Sequence, residues 1–260
     1  MSGAPSFAGV LALGLARRLG LPDTALLPDT ALLPDDDGAT KPRRLEAVRE
    51  DAAEAEVLAL PWATVVAGPA WFAAACRNVP AEVLGVESAL LRTAAGAAPG
   101  AGSGGGAAVR SRGEFTLYAA EEPPVLEPSR SVAVSEDPAH ALAVAAQAPA
   151  DDLAEAAAQA WTSSASLVPD DGAGHGLEAP VAAAGHRVSG GILAELGVLT
   201  VPRLRGHGLG RYAAAVAMDR ATLEGLLPVA HLRAGHTAAH HVAIAVGLEP
   251  VGSRTVLALG

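Results

Sequence analysis

The sequence is poor in cysteine, lysine and aromatic residues. Cys76 is its only cysteine, which excludes a disulfide within the chain and favours a reducing compartment. Lys41 is its only lysine, and only 3% of the residues are aromatic. Half of the residues are nevertheless hydrophobic, so a chain of 260 residues can bury a core. The net charge of -10 argues against a nucleic-acid partner.

Long hydrophobic runs are also missing. The apolar run at residues 7–16 is too short to cross a membrane. It is followed by Arg17 and Arg18, whereas a secretory signal carries its positive charge before the run. We therefore expect an amphipathic first helix and a cytoplasmic protein without a membrane partner.

Segments of biased composition suggest how the chain is organised. Residues 21–40 begin with a repeated six-residue unit (LPDTALLPDTALLPD), and residues 94–113 are rich in glycine and alanine. We expect both to be mobile surface insertions, because they offer little apolar area to offset the entropy of ordering. The charged residues 43–56 predict a helix. The proline-rich, acidic residues 121–129 predict a boundary between a divergent domain over residues 1–128 and a second domain over residues 129–260.

Beyond this connector, strand-like and helix-like segments alternate. A nearly all-apolar strand is predicted over residues 192–201, and an alanine-rich helix over residues 211–224. Such alternation predicts an α/β or α+β layered domain. Residues 187–260 hold seven arginines but only four acidic residues, which is consistent with an anionic small ligand for this part of the chain.

Glycines occupy alternate positions after the predicted strand. The stretch VLTVPRLRGHGLG (198–210) places Gly206, Gly208 and Gly210 directly before the alanine-rich helix. Glycine leaves the backbone N–H groups bare at the positive end of a helix, and this arrangement binds anions. The spacing matches neither the dinucleotide-binding G-x-G-x-x-G motif nor the phosphate loop, which requires a lysine.

Arg205, Gly208 and Gly210 form an R-x-x-G-x-G motif, preceded by Pro202 and a hydrophobic strand. On these features, residues 150–260 resemble the GNAT superfamily of acyl-CoA-dependent N-acyltransferases. The resemblance implies a mixed, mostly antiparallel central sheet flanked by helices. The N-terminal half diverges, and a degenerate copy of the same fold is one interpretation of it.

The resemblance also implies an activity: transfer of an acetyl group from acetyl-CoA to a primary amine, with no metal required. A homodimer is compatible with it. The CoA phosphates are expected at the glycine turn, and the pantetheine arm is expected to pair with the preceding strand. The implied acetyl-CoA-binding residues are Val198, Leu199, Thr200, Arg205, Gly206, His207, Gly208, Leu209, Gly210 and Arg211.

Glu195 is the candidate for the catalytic base. It is the only acidic residue in the apolar strand, where many relatives place a glutamate that takes the proton of the amine. Burial in such a strand is expected to raise its pKa, which suits a base that works near neutral pH. The alternative is a structural glutamate paired with an arginine.

The proton donor to the departing thiolate is less evident. The resemblance places the usual tyrosine four residues before a Gly-Phe pair, which here is Gly247–Leu248, so that Ala243 stands in its place. His240, one helical turn away, is expected to substitute for it. The missing tyrosine also favours a rival function, that of a non-catalytic acyl-CoA-binding regulatory protein.

Four histidines within eleven residues support a second rival, a hydrolase or metal enzyme. Two of them, His236 and His240, are one helical turn apart and could ligate zinc. However, the H-E-x-x-H motif is absent from the sequence. Histidines beside the CoA or on the surface are the simpler interpretation, so no metal site is predicted.

Overall fold

The structure is a computed structural model that describes residues 6–28, 42–100, 108–127, 129, 131–170 and 179–260. Within these residues the helices are α1 (Phe7–Leu19), α2 (Ala70–Cys76), α3 (Ala81–Leu84), α4 (Glu87–Ala97), α5 (Pro138–Ala145), α6 (Ala150–Ala156), α7 (Leu209–Leu223) and α8 (Thr237–Ala245). The strands are β1 (Arg43–Val48), β2 (Glu54–Leu60), β3 (Ala63–Gly68), β4 (Val109–Ala119), β5 (Val132–Ser135), β6 (Ser163–Pro169), β7 (Ala182–Ser189), β8 (Leu193–Thr200), β9 (Leu227–Arg233) and β10 (Glu249–Leu259).

The chain divides by its internal contacts into two units that are not continuous in sequence. Unit 1 contains residues 1–117, 233–235 and 250–260, and unit 2 contains residues 118–232 and 236–249. The proposed division into domains after residue 128 stays a prediction about independent folding.

Unit 1 is built on a sheet with the strand order β1, β3, β2, β10, β4. β1 runs parallel to β3, whereas β2 is antiparallel to both β3 and β10. The helix predicted over residues 43–56 is therefore wrong, because this segment forms β1, a turn and the start of β2. The prediction treated the charged residues as exposed, whereas Glu56 is buried in β2 and is neutralised by arginines elsewhere in unit 1.

The core of unit 1 includes α2. Phe72 and Cys76 are fully buried against Val57, Val66 and other apolar side chains. Burial raises the pKa of the Cys76 thiol to about 11, so the group stays protonated at neutral pH and behaves as a small core residue.

Unit 2 contains the strand order β9, β8, β7, β6, β5. The pairs β5–β6, β6–β7 and β7–β8 are antiparallel, whereas β8 and β9 run parallel. The turn from β7 to β8 contains Gly190 and Gly191, both with positive φ, which suits a tight hairpin. This mixed, mostly antiparallel sheet with flanking helices confirms the predicted fold class.

Helix α7 lies close to the sheet of unit 2 because its contact face is made of small residues. Ala213, Ala214 and Ala217 are buried, and Ala213 and Ala217 pack with Ala182 and Ala184 of β7. The first helix of the chain also forms as predicted, with Ser6 accepting a hydrogen bond from the Gly9 N–H at its start. None of the described helices is long and apolar enough to cross a membrane.

The two expected insertions fall partly outside the described residues. Residues 29–41 and 101–107 belong to the undescribed part, so the mobility predicted there is not tested. Within the described part, Leu26 is fully buried and α4 extends to Ala97. The segment from 94 to 113 is therefore not a loop throughout, since β4 begins at Val109.

Candidate acyl-CoA site

Strands β8 and β9 are paired only at their beginnings. Their parallel register covers three residue pairs and ends at Glu195 opposite Val229, whereas β8 pairs with β7 along all of its eight residues. In the described part of the chain, the edge of β8 from Leu196 to Thr200 therefore has no registered partner on the β9 side. Such an edge can accept an extended ligand as an additional strand.

The open edge leads directly into the glycine turn. β8 ends at Thr200, a 3₁₀ turn spans Pro202–Leu204, and α7 begins at Leu209. Gly206 and Gly208 have φ values of +82° and +79°, which favour glycine, and a Cβ atom on either would meet nothing within 4 Å. The structure describes no side-chain cap for the first turn of α7, so its N–H groups are available to a ligand.

Gly210 has a different role from the other two glycines of the turn. A Cβ atom at this position would lie 3.1 Å from Thr200 Oγ1 and 3.8 Å from a methyl group of Val198. The glycine thus lets the first turn of α7 approach the end of β8. Leu209 packs in the apolar cluster below α7, whereas Leu199 is buried on the opposite face of the sheet with Val144 and Val201.

Arginine side chains surround the glycine turn. Arg203, Arg205 and Arg211 are exposed, and so is the imidazole of His207. Arg205 forms an ion pair with Asp152 of α6, so its guanidinium is already engaged by a carboxylate. Positive charge around an uncapped helix N-terminus attracts an anion such as a pyrophosphate.

Glu195 is located where β8 and β9 separate, and its side chain is 11% exposed. Arg187 lies directly across the β7–β8 pair and donates from Nε to Glu195 Oε2 at 2.8 Å. Burial raises the pKa of Glu195, but the charges of His231 and Arg187 lower it more strongly, to about 2. The expected rise of this pKa is therefore wrong, and the pairing with an arginine is the alternative that the structure contains.

His240 of α8 contacts a residue that the sequence analysis did not select. Its Nδ1 atom lies 2.9 Å from the hydroxyl oxygen of Tyr118, at the end of β4. The two rings are tilted by 54°, with their centroids 5.6 Å apart. Tyr118 is 122 residues away in sequence, and neither its strand nor its neighbours carried a motif that could have indicated it.

The other histidines of the cluster have separate surroundings. His236, at the start of α8, lies 2.6 Å from a carboxylate oxygen of Glu155 in α6. His231 is located in β9 and contributes its charge to Glu195. Among the described residues, no group of three or more acidic, histidine or cysteine side chains is arranged to hold a metal ion.

Comparisons with solved structures give similarities to acetyltransferases. One is an acetyltransferase of the GNAT family from Novosphingobium aromaticivorans, with 20% identity, a TM-score of 0.44, and coverage of 58% of this chain and 68% of the other. Another is a GCN5-related N-acetyltransferase from Kribbella flavida, with 21% identity, a TM-score of 0.41, and coverage of 58% and 60%. A third is a tandem GNAT protein from the clavulanic acid biosynthesis pathway, with 13% identity, a TM-score of 0.37, and coverage of 61% and 56%.

These three solved structures are described as GNAT-family or GCN5-related proteins. The matched region spans less than two thirds of the Kribbella and the tandem GNAT proteins. No family model matches the chain. No curated protein matches it either.

Proposed function

We propose that the chain is an N-acyltransferase that uses an acyl-CoA, with acetyl-CoA as the donor and a primary amine as the acceptor. The observation that carries this proposal is the continuity of the open β8 edge with the glycine turn. A ligand with an extended amide-bearing arm and a pyrophosphate at its end is complementary to both features. The proposal also places the protein in the cytoplasm, where acyl-CoA donors are available.

The residues of the turn fit a CoA pyrophosphate by their chemistry. The N–H groups from Gly206 to Arg211 would donate to phosphate oxygens, and the open space at Gly206 and Gly208 lets the phosphates approach the backbone. The N–H and C=O groups near Val198 and Thr200 would pair with the amides of the pantetheine arm. Arg205 would exchange its contact with Asp152 for a phosphate, or hold both.

Glu195 has a revised role in this proposal. With a pKa of about 2, Glu195 is a weak general base at neutral pH, but its carboxylate is negatively charged at this pH. The amine nitrogen gains positive charge as it attacks the thioester carbonyl. We propose that Glu195 stabilises this charge and orients the amine, while the amine proton passes to water.

The ion pair between Glu195 and Arg187 also supports a second function. A glutamate fully occupied by Arg187 contributes only to structure, and Ala243 stands where the resemblance places a tyrosine. Both observations favour a non-catalytic acyl-CoA-binding regulatory protein. This rival shares the acetyl-CoA site and predicts no turnover.

The two functions differ in one assay. The wild-type chain is incubated with acetyl-CoA and, separately, with spermidine, kanamycin and a lysine-containing peptide, while free thiol is followed with a chromogenic disulfide. Our proposal predicts amine-dependent thiol release with at least one acceptor class. Tight acetyl-CoA binding with no release above the amine-free control would favour the regulatory protein.

Replacing Glu195 tests its charge. We expect Glu195→Gln to lower kcat by about 10²-fold, because a positioned charge in a water-poor site contributes on this scale. Affinity for acetyl-CoA should stay nearly unchanged, since Glu195 is remote from the glycine turn. Near-normal kcat with reduced stability would show that Glu195 is only structural.

The variant Arg187→Gln complements Glu195→Gln, because it keeps the Glu195 carboxylate and changes its pKa. In the wild type this carboxylate is ionised at any pH well above 2, so the rate should show no acid limb from it between pH 4 and 8. Loss of the arginine removes one cause of the lowered pKa, leaving His231 as the remaining charge. We expect the pKa of Glu195 to be higher in this variant than in the wild type. Protonation of Glu195 should then produce an acid limb in a plot of kcat against pH.

A further inference from the structure

A buried phenol and an imidazole form a pair in unit 2. Tyr118 is only 5% exposed, and its hydroxyl oxygen lies 2.9 Å from His240 Nδ1. Buried tyrosine hydroxyl groups normally have a hydrogen-bond partner, so one bond of this kind satisfies the structural requirement. A hydroxyl group can also donate to one acceptor while it accepts from another. When Nδ1 carries its proton, the hydroxyl hydrogen of Tyr118 is left for a second acceptor.

The surroundings of this pair indicate where the second acceptor would be. Tyr118 belongs to an apolar cluster that includes side chains from both of the separated strands: Leu196 and Val198 from β8, and Ala230 and Leu232 from β9. All four follow the last registered pair, Glu195 and Val229. The cluster therefore borders the gap in which the proposed acyl-CoA arm would lie.

In this cluster Tyr118 packs with apolar side chains. The other buried members of the cluster are small or apolar residues, such as Ala214 of α7 and Ala243 of α8. The hydroxyl group of Tyr118 comes from β4, and its hydrogen-bond partner His240 is located one turn before Ala243 on α8.

We propose that Tyr118 is a catalytic residue that gives its hydroxyl proton to the departing sulfur, with His240 as its positioning partner. This inference rests on the proposed function. The amine nitrogen bonds to the carbonyl carbon, and the electron pair of the carbon–sulfur bond leaves on the sulfur, which takes the Tyr118 proton. The nitrogen loses one proton to water, and the phenolate regains one through His240. Atoms and charge balance without any further reactant.

The apolar surroundings explain why the departing sulfur needs a proton. A thiolate released into a water-poor cluster cannot be solvated, and it returns to the carbonyl unless it is protonated. His240 alone could supply a proton, as expected from the sequence. However, its Nδ1 atom lies 2.9 Å from the Tyr118 oxygen, so a proton donated from Nδ1 goes to this hydroxyl group, which can donate its own hydrogen to the sulfur.

The test compares three variants by kcat, by the dissociation constant of acetyl-CoA from calorimetry, and by the unfolding midpoint. Tyr118→Phe keeps the ring in the cluster and removes only the hydroxyl. Tyr212→Phe is the matched control, because Tyr212 of α7 is the other tyrosine of the chain. His240→Gln removes the positioning partner. Thiol release is measured with whichever of the three amines gives the wild type its fastest rate.

We expect Tyr118→Phe to lower kcat by about 10²-fold and to leave acetyl-CoA affinity within about twofold of the wild type. His240→Gln should lower kcat less than Tyr118→Phe, and Tyr212→Phe should match the wild type. Unchanged kcat in Tyr118→Phe would overturn the inference while the proposed function stands. The same holds for a loss confined to His240→Gln, which would assign the proton to the histidine. Wild-type protein that neither binds acetyl-CoA nor releases thiol would overturn the proposed function, and this inference with it.

Discussion

Gly208→Glu should weaken acetyl-CoA binding by about 10²–10³-fold, since two like charges at contact repel by about 4 kcal/mol near a protein surface. The new carboxylate would stand at the uncapped N-terminus of α7 and occupy the place proposed for a phosphate. A negative charge at a helix N-terminus favours the helix, but the positive φ of Gly208 strains any other residue, so the loss of binding has to be separated from this strain by a control. Isothermal calorimetry with acetyl-CoA measures it.

The other end of the same helix provides the matched control. Gly225 follows α7 with a φ of +75°, close to the +79° of Gly208, and a Cβ atom there also meets nothing within 4 Å. Gly225→Glu therefore introduces the same side chain with the same backbone strain, away from the proposed site. Its affinity for acetyl-CoA should match the wild type. Equal loss of affinity in the two variants would show that strain, and not a phosphate site, explains the effect.

The largest loss of stability is expected from Glu56→Gln in unit 1. Glu56 is 2% exposed, and its carboxylate is surrounded by Arg18 at 3.2 Å, Arg49 at 3.6 Å and Arg254. Removing the charge leaves three arginines without their common partner. Breaking a buried ion pair from one side costs about 3–5 kcal/mol of the free energy of unfolding. Urea denaturation measures this loss.

Glu54→Gln is the control on the same strand. The Glu54 side chain is 45% exposed and lies 3.6 Å from Arg112, so this pair should contribute about 1 kcal/mol or less. Burial raises the pKa of Glu56, but Arg18, Arg254 and Arg49 lower it below its ordinary value. The stabilisation is thus present above the unfolded pKa of 4.5 and is lost as the pH falls through the folded pKa. Equal losses in the two variants at neutral pH would refute the buried cluster.

The sequence was informative where local pattern and structure agree. The apolar strand, the proline, the alternating glycines and the alanine-rich helix appear in the structure as β8, a 3₁₀ turn and α7. These features depend on neighbours in the chain, since strand length, turn conformation and helix capping are local. The fold class followed from the same alternation of segments.

The errors have a common cause in contacts between distant residues. Glu56 is part of a strand because Arg18 and Arg254, far from it in sequence, neutralise its charge. Tyr118 reaches His240 across 122 residues. No pattern within a short window of sequence contains such information.

The pKa of Glu195 is an intermediate case. Gly190 and Gly191 mark a tight hairpin, and its register places Arg187 opposite Glu195. A hairpin predicted from the two glycines would have paired these residues and indicated a lowered pKa. The signal was present in the sequence, but the strand was considered without its antiparallel neighbour.

The central claim is that an acyl-CoA lies along the open edge of β8 and ends at the glycine turn. Hydrogen–deuterium exchange of the wild-type chain, with and without saturating acetyl-CoA, tests it most directly. The claim predicts slower exchange of amides in two segments, residues 196–200 and 206–211, because the ligand accepts hydrogen bonds from them. Binding of acetyl-CoA with unchanged exchange in both segments would contradict the claim.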